Sequence, residues 1–314
     1  MESVPEGTAA EAELTGAMAA GKERGRLAPG LYLVATPIGN LEDMTLRGLR
    51  VLREADRIAC EDTRQTGKLL NHFGIKTPTV SYHAHNEGER ATELVETLRA
   101  GGRIAVVSDA GTPGISDPGG VLARAAIAAG VAVFPVPGAN AVVAAVIASG
   151  LPAERFRFHG FLPAKAGERR TMLEELQAAS RTATGVSWKT TEIFYETPHR
   201  IVEALGDVEA VFGPDQPVVL ARELTKLHEE FLRGSVGEVL AELAGRESVR
   251  GEMVLLLALA GVTAGGEISV SVRAAVRGLI AAGASEKEAL KQVARERGLG
   301  KSEVYREWQR DKGR

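Results

Sequence analysis

A chain of 314 residues has room for about two domains. Its 44% apolar and 25% charged content supports an ordinary core, while a single cysteine, Cys60, excludes an internal disulfide and any multi-cysteine metal site. A net charge of −3 argues against a uniformly basic nucleic-acid binder, and with no apolar run of about 18 residues no membrane span is expected.

Residues 1–28 are rich in Ala, Gly and Glu and lack the apolar stretch of a signal peptide. They read as a disordered acidic extension on a cytoplasmic protein. An N-terminal α/β domain is expected over 29–150. Its strands are Leu31–Ala35, Arg57–Cys60, Thr79–Tyr82, Arg103–Val107 and Val131–Val136. Between them lie helices: one capped by Thr45 with Leu46, Leu49 and Leu52 at helical spacing, one ending near Phe73, one ending near Ala100, and one opening at Val121. A small-residue helix, Ala141–Ser149, follows the last strand. The alternation predicts a mostly parallel sheet covered on both faces. Four polar or Gly/Pro loops then fall at strand carboxyl ends: 36–44, 61–64, 108–120 and 137–140.

Gly150-Leu-Pro-Ala-Glu marks a boundary, and a second α/β domain is expected over 151–262. It holds a strand from Phe156, a helix over about 168–179, and strands at Glu192 and Pro217. The apolar run Glu252–Ala260 is long enough to demand a central place. Residues 261–267 read as a linker, and 269–314 as a small all-helical domain. In it a helix ending near Arg297, a turn at Gly298–Gly300 and a helix from Ser302 have helix-turn-helix spacing, with Ala289, Val293 and Ala294 facing Leu299 and Val304. Residues 269–314 carry 11 Lys+Arg against 6 Asp+Glu, a net +5, so the remaining 27 against 35 gives −8. A basic tail on an acidic body suits a localised polyanion contact.

The loop Ser108-Asp-Ala-Gly-Thr-Pro-Gly-Ile-Ser-Asp-Pro-Gly-Gly is the richest ligand signal. It joins a buried strand to a helix, the place where open α/β sheets bind ligands. Asp109 and Asp117 make it a poor phosphate cradle. Gly298-Leu-Gly-Lys-Ser resembles the end of a Walker loop, but the required upstream glycine is Arg295, and no Gly-x-Gly-x-x-Gly follows a strand. His83 and His85 alternate without a carboxylate-rich pattern, so no metal is expected. There is no Gly-x-Ser-x-Gly elbow.

Several stretches taken together resemble one family: Thr36-Pro-Ile-Gly-Asn-Leu, Ala59-Cys-Glu-Asp-Thr-Arg, Ser81-Tyr-His-Ala-His-Asn-Glu, the 108–119 loop, Gly160-Phe-Leu-Pro, Tyr195-Glu-Thr-Pro-His-Arg, Arg222-Glu-Leu-Thr-Lys and Arg250-Gly-Glu. The family is ribosomal RNA small-subunit methyltransferase I, of the tetrapyrrole-methylase fold group, and the resemblance runs in order from about Gly30 to Trp308. It departs at Ala139-Asn140, where Pro-Ser would be expected, and at Thr197, where Ser is common.

The resemblance implies S-adenosylmethionine-dependent methylation of a cytidine 2′-oxygen in small-subunit ribosomal RNA. The implied fold is two α/β domains with a ligand cleft between them, plus the helical C-terminal domain. The implied cofactor contacts are Pro37, Gly39, Asp109, Ala110, Gly111, Thr112, Ile115, Ser116, Asp117, Ala139 and Asn140 in the first domain, and Leu162, Tyr195, Glu196 and Gly251 in the second. Lys226 and Glu223 are the first catalytic candidates, with Glu61, Asp62 and Arg64 as alternatives, for a poor alcohol nucleophile needs a base or an alkoxide stabiliser. Lys165, Arg169, Arg170, Lys291, Arg295, Lys301 and Arg306 are the candidates for RNA contact. The substrate implied is ribosomal RNA, within an assembled or assembling subunit, and a homodimer is expected. Two rival readings are a methylase of small tetrapyrroles and a non-catalytic regulator using the C-terminal helices.

Overall fold

Period-two alternation of apolar side chains builds the first sheet. In a computed structural model that describes residues 25–84, 86–182, 189–260 and 284–297, with 276, 279, 280, 300, 302, 304, 305 and 308, five short strands lie parallel. They are β1 (Gly30–Val34), β2 (Arg57–Cys60), β3 (Thr79–Ser81), β4 (Arg103–Val107) and β5 (Val133–Val136), in the order β3-β2-β4-β1-β5. Tyr32, Val34, Ile58, Cys60, Ala105 and Val107 face one side, against α1 (Leu46–Glu54) and α2 (Thr63–His72). Leu31, Ala59, Ile104 and Val106 face the other, against α3 (Glu87–Arg99) and α4 (Gly120–Ala128). Thr45 caps α1 by accepting from the Gly48 N–H, and Asp62 caps α2 from Arg64 N–H; each such cap is worth about 1 kcal/mol. Helix α5 (Ala141–Ser149) follows β5.

The acidic extension gives way earlier than expected. Residues 1–24 lie outside the described residues, but Leu27 is buried in the core of the first sheet, its N–H donating to Glu54 and its carbonyl accepting from Arg103 Nε. An apolar side chain with both backbone groups engaged is part of the fold.

The second sheet is mixed. Its strands are β6 (Phe156–Phe161), β7 (Lys189–Glu196), β8 (Pro217–Arg222), β9 (Glu230–Ser235) and β10 (Met253–Ala260), in the order β6-β7-β10-β8-β9. β10 is central, as its unbroken apolar run requires, and pairs antiparallel with β7. Its Met253, Leu255, Leu257 and Leu259 pack with α6 (Ala166–Thr182), α7 (Ile201–Phe212) and α8 (Val236–Ala244) in one core. Strand β9 and helices α7 and α8 are additions to the elements expected from sequence. Helix α9 (Glu286–Arg297) opens on a capping box of Ser285 and Glu288. Ala289, Val293 and Ala294 share a small core with Val276 and Val304. The expected linker 261–267, and Gly298 and Leu299 of the expected turn, lie outside the described residues.

The chain divides into two compact units, Met1–Ala148 with Ala221–Glu230, and Ser149–Leu220 with Phe231–Arg314. Residues 221–230 therefore group with the first unit, where sequence order places them in the second domain.

Candidate active site

The first sheet defines its own ligand rim. All five strands are parallel, so every carboxyl end lies on one edge. Strand β4 is followed by α4 on one face, while its neighbours β1 and β2 are followed by α1 and α2 on the other. Loops that leave adjacent strands in opposite directions open a crevice at that point. The loops after β1, β2 and β4 therefore surround the end of β4.

Hydrogen bonds tie these loops into one assembly. Thr36 and Gly111 exchange both backbone bonds, at 2.9 and 3.0 Å, and buried Thr36 donates its hydroxyl to the Ser108 carbonyl at 3.2 Å. Thr112 Oγ1 donates to the Ala139 carbonyl at 3.1 Å and accepts from Asn140 Nδ2 at 3.2 Å, which locks the 108–119 loop to the loop after β5. Asn140 also caps α5, accepting from Val143 N–H. Asp62 N–H donates to Asp109 Oδ1 at 3.1 Å. Inside the loop, Ser116 holds φ at 61°, a left-handed backbone unusual for a residue with a side chain.

The 223–229 turn, between β8 and β9, joins the same rim. Asn40 N–H donates to Thr225 Oγ1 at 3.1 Å. A Cβ on Gly39 would lie 2.4 Å from Lys226 Cγ and 2.9 Å from Thr225 Oγ1, so glycine alone lets the two backbones approach this closely. Lys226 Nζ donates to Glu223 Oε1 at 2.8 Å. Glu223 and Thr225 both hold positive φ, at 51° and 65°. The candidate catalytic pair thus belongs to the unit that carries the 108–119 loop. The expectation that it lies in the second domain is corrected, because the turn is held by Gly39 and Asn40.

The rim is acidic. Burial first, then Glu61 and Asp109, pushes the Asp117 carboxyl up to about 6, with a hydrogen bond from Ser108 opposing. Burial and Asp109 likewise raise Glu61, against the pull of His83. The Arg64 side chain holds half-buried Asp62 down to about 2. Cys60, buried beneath, has its thiol raised chiefly by burial, which leaves it a packing residue rather than a nucleophile. Among the described residues no three His, Cys, Asp or Glu side chains gather as a metal-binding set.

Asp117 gives a stability prediction. Its folded value lies above the ordinary 3.8, so the folded chain retains a proton that the unfolded chain has released. The stability contributed by that proton is fully present below about 3.8 and is lost as pH rises through about 6. Replacing Asp117 by Asn should therefore stabilise the chain by about 1 kcal/mol at pH 8, allowing for screening, and by almost nothing at pH 4. Urea titrations of the two chains at both pH values measure this; equal gains at pH 4 and pH 8 would refute it.

The other candidate residues divide by place. Pro37, Gly39, Asp109, Ala110, Gly111, Thr112, Ile115, Ser116, Asp117, Ala139 and Asn140 all belong to the rim loops of the first unit. In the second unit, Leu162 contributes its side chain to the core and its carbonyl to Arg200. Tyr195 packs edge-on against Phe158 and Phe161, with ring centroids at 4.8 and 5.5 Å. Glu196 is buried and paired with Arg200 at 2.8 Å, and Gly251 precedes β10 at φ 92°.

Arg169 is not an RNA contact. It is 1% exposed, and its guanidinium bonds Asp207 at 2.6 Å. Arg170 is exposed but bonds the other Asp207 oxygen, also at 2.6 Å, and exposed Lys165 pairs with Glu168. Lys291 and Arg295 are exposed on α9. Lys287, four residues before Lys291, completes their stripe and could have been found by its i, i+4 spacing. Lys301 and Arg306 lie outside the described residues. Thr36 and Thr225 lie inside the quoted motifs, but that they lock the rim depends on Ser108 and Asn40, far along the chain.

A parallel sheet with its loops pooled around one strand, followed by a mixed sheet, is the framework of a ligand-binding α/β enzyme. The family model for Tetrapyrrole (Corrin/Porphyrin) Methylases matches residues 30–240, and the chain belongs to that family. Over 279 residues it is 50% identical to ribosomal RNA small subunit methyltransferase I of Halalkalibacterium halodurans, covering 88% of this chain and 93% of that one. The protein of the same name from Synechocystis sp. is 45% identical over 88% of this chain and 95% of its own, and that from Vibrio cholerae 51% identical over 73% and 77%. Among solved structures, diphthine synthase aligns with a TM-score of 0.54 at 16% identity over 72% of this chain and 89% of its own. The methyltransferase CobJ aligns at 0.52 and 19% over 73% and 93%; at such identities the likeness is one of fold. The chain is an S-adenosylmethionine-dependent methyltransferase.

Proposed function

We propose that the chain transfers a methyl group from S-adenosylmethionine to a cytidine 2′-oxygen of small-subunit ribosomal RNA. The observation that carries the reading is the Lys226–Glu223 turn seated against Gly39 on the donor rim, in a chain half-identical to ribosomal RNA methyltransferases. The rim suits the donor chemically. Asp109 and Asp117 offer acceptors for an ammonium or ribose hydroxyls, the backbone of 110–116 offers donors for a carboxylate, and Pro37, Ile38 and Ile115 offer apolar contact for adenine. In the second unit the Glu196 carboxylate is held by Arg200.

When bound, the donor supplies an electrophilic sulfonium methyl group. Lys226 stabilises negative charge on the attacking 2′-oxygen, whose proton passes to water, and Glu223 orients the Lys226 ammonium. Lys287, Lys291 and Arg295 form a phosphate-contacting stripe. A homodimer, a cytoplasmic location and an assembled or assembling small subunit as substrate belong to the same proposal. No helix among the described residues is long and apolar enough to cross a membrane.

Transfer of radiolabelled methyl groups to small ribosomal subunits, free ribosomal RNA and a tetrapyrrole tests the proposal. Label is expected in RNA, in 2′-O-methylcytidine after digestion. Label in the tetrapyrrole, or on a base, would contradict it.

A further inference from the structure

We propose that Leu227 is an apolar wedge that opens the RNA stack beside the target nucleotide, a role that rests on the reading of RNA as substrate. Leu227 directly follows Lys226 on the 223–229 turn and is 92% exposed, against 71% for Ile147, the next most exposed large apolar side chain described. A single exposed leucine is ordinary on a mobile surface. This one stands on a turn that is fastened at several points. Thr225 N–H donates to Glu229 Oε2 at 2.6 Å, Lys226 N–H to the Glu223 carbonyl at 3.0 Å and Glu229 N–H to the Lys226 carbonyl at 3.1 Å. Asn40 N–H holds Thr225 Oγ1, and Gly39 abuts both Thr225 and Lys226.

Two residues of the turn, Glu223 and Thr225, sit in left-handed backbone without being glycine. Such strain persists where the surrounding structure enforces it, and it clusters at functional sites. Here it turns an apolar side chain into solvent next to the candidate catalytic lysine. Leu227 belongs to none of the hydrophobic core clusters of the described residues. A nucleotide in folded RNA is held by stacking, and its ribose must be brought to the reacting groups. Proteins that separate stacked bases do so by inserting an apolar side chain between them. Leucine is one of the residues used for this, and it needs a rigid mount, which this turn provides.

The test compares the full chain with Leu227→Ala and Leu227→Met on small subunits isolated without the methyl mark. Leu227→Ala should lower the single-turnover rate at saturating subunits about tenfold or more, while KM for subunits changes less than about twofold, because a wedge acts after docking. Leu227→Met keeps apolar bulk and should restore most of the rate. S-adenosylmethionine affinity and oligomeric state should be the same for all three. Equal rates for the unaltered chain and Leu227→Ala would overturn the wedge and leave the RNA reading standing. A change in oligomeric state with Leu227→Ala would also overturn it, assigning the side chain to contact with a second copy. An unaltered chain that binds the donor but methylates no RNA would overturn both.

Discussion

Replacing Asp207 by Ala should destabilise the second unit by about 3–5 kcal/mol, the loss seen when one partner of a buried ion pair is removed. Arg169 is buried on α6, and Asp207, 38 residues on and equally buried on α7, is its acceptor. Burial works to raise the Asp207 carboxyl, but hydrogen bonds from Arg170 and Arg169 hold it below the usual carboxylate range. Remove the carboxylate and a guanidinium remains in the core with only the Pro163 and Ala164 carbonyls, at 3.4 Å, and Glu203, at 3.8 Å, within reach. Urea unfolding followed by circular dichroism measures the loss, with a fall in melting temperature on the order of 10 °C. The paired substitution Arg169→Met with Asp207→Leu should recover most of it, since apolar replacement of both partners is often neutral. A loss below about 1 kcal/mol for Asp207→Ala would show that the pair is not a buried one.

Replacing Lys226 by Met should slow methyl transfer in a single turnover by about 100- to 1,000-fold, the usual yield of a positioned acid, base or charge stabiliser. Methionine keeps the stem that packs against Gly39, so the change removes charge and leaves packing. Donor affinity should change less than about threefold, because the ammonium is engaged by Glu223, at 2.8 Å. Glu223→Gln should cost less, about tenfold, as it only orients Lys226. Rapid-quench measurement of labelled RNA with both substrates saturating provides the rate. A rate within about threefold of the unaltered chain would remove Lys226 from the chemistry.

The rim was legible because its signals are local. Alternating apolar residues mark each parallel strand, Thr45 marks a helix start, and the Gly/Pro loops stand directly after the strands. What escaped depends on partners far along the chain. Arg169 reads as one of a basic surface group with Lys165 and Arg170 until Asp207, set in the apolar face of Ile201, Ala204, Leu205 and Val208, is seen to receive it. Residues 221–230 end β8 and follow it in sequence, an order that reads as membership of the second domain. Their place in the first unit is decided by Thr225 and Asn40, 185 residues apart. Leu27 stands among Ala, Gly and Glu, and only its burial against α1 distinguishes it. Helix α7 carries a readable apolar stripe, but it follows a Thr-Pro-His turn that masks where it begins.

The central claim is that the loops around the end of β4 hold the methyl donor. Isothermal titration of S-adenosylmethionine into the unaltered chain and into Asp109→Ala tests it most directly, with melting temperatures within about 2 °C as proof of folding. The prediction is a dissociation constant at least about tenfold higher for Asp109→Ala, since Asp109 is an exposed carboxylate of the loop with its Oδ1 fixed by Asp62 N–H. Equal affinity for the two chains would contradict the claim.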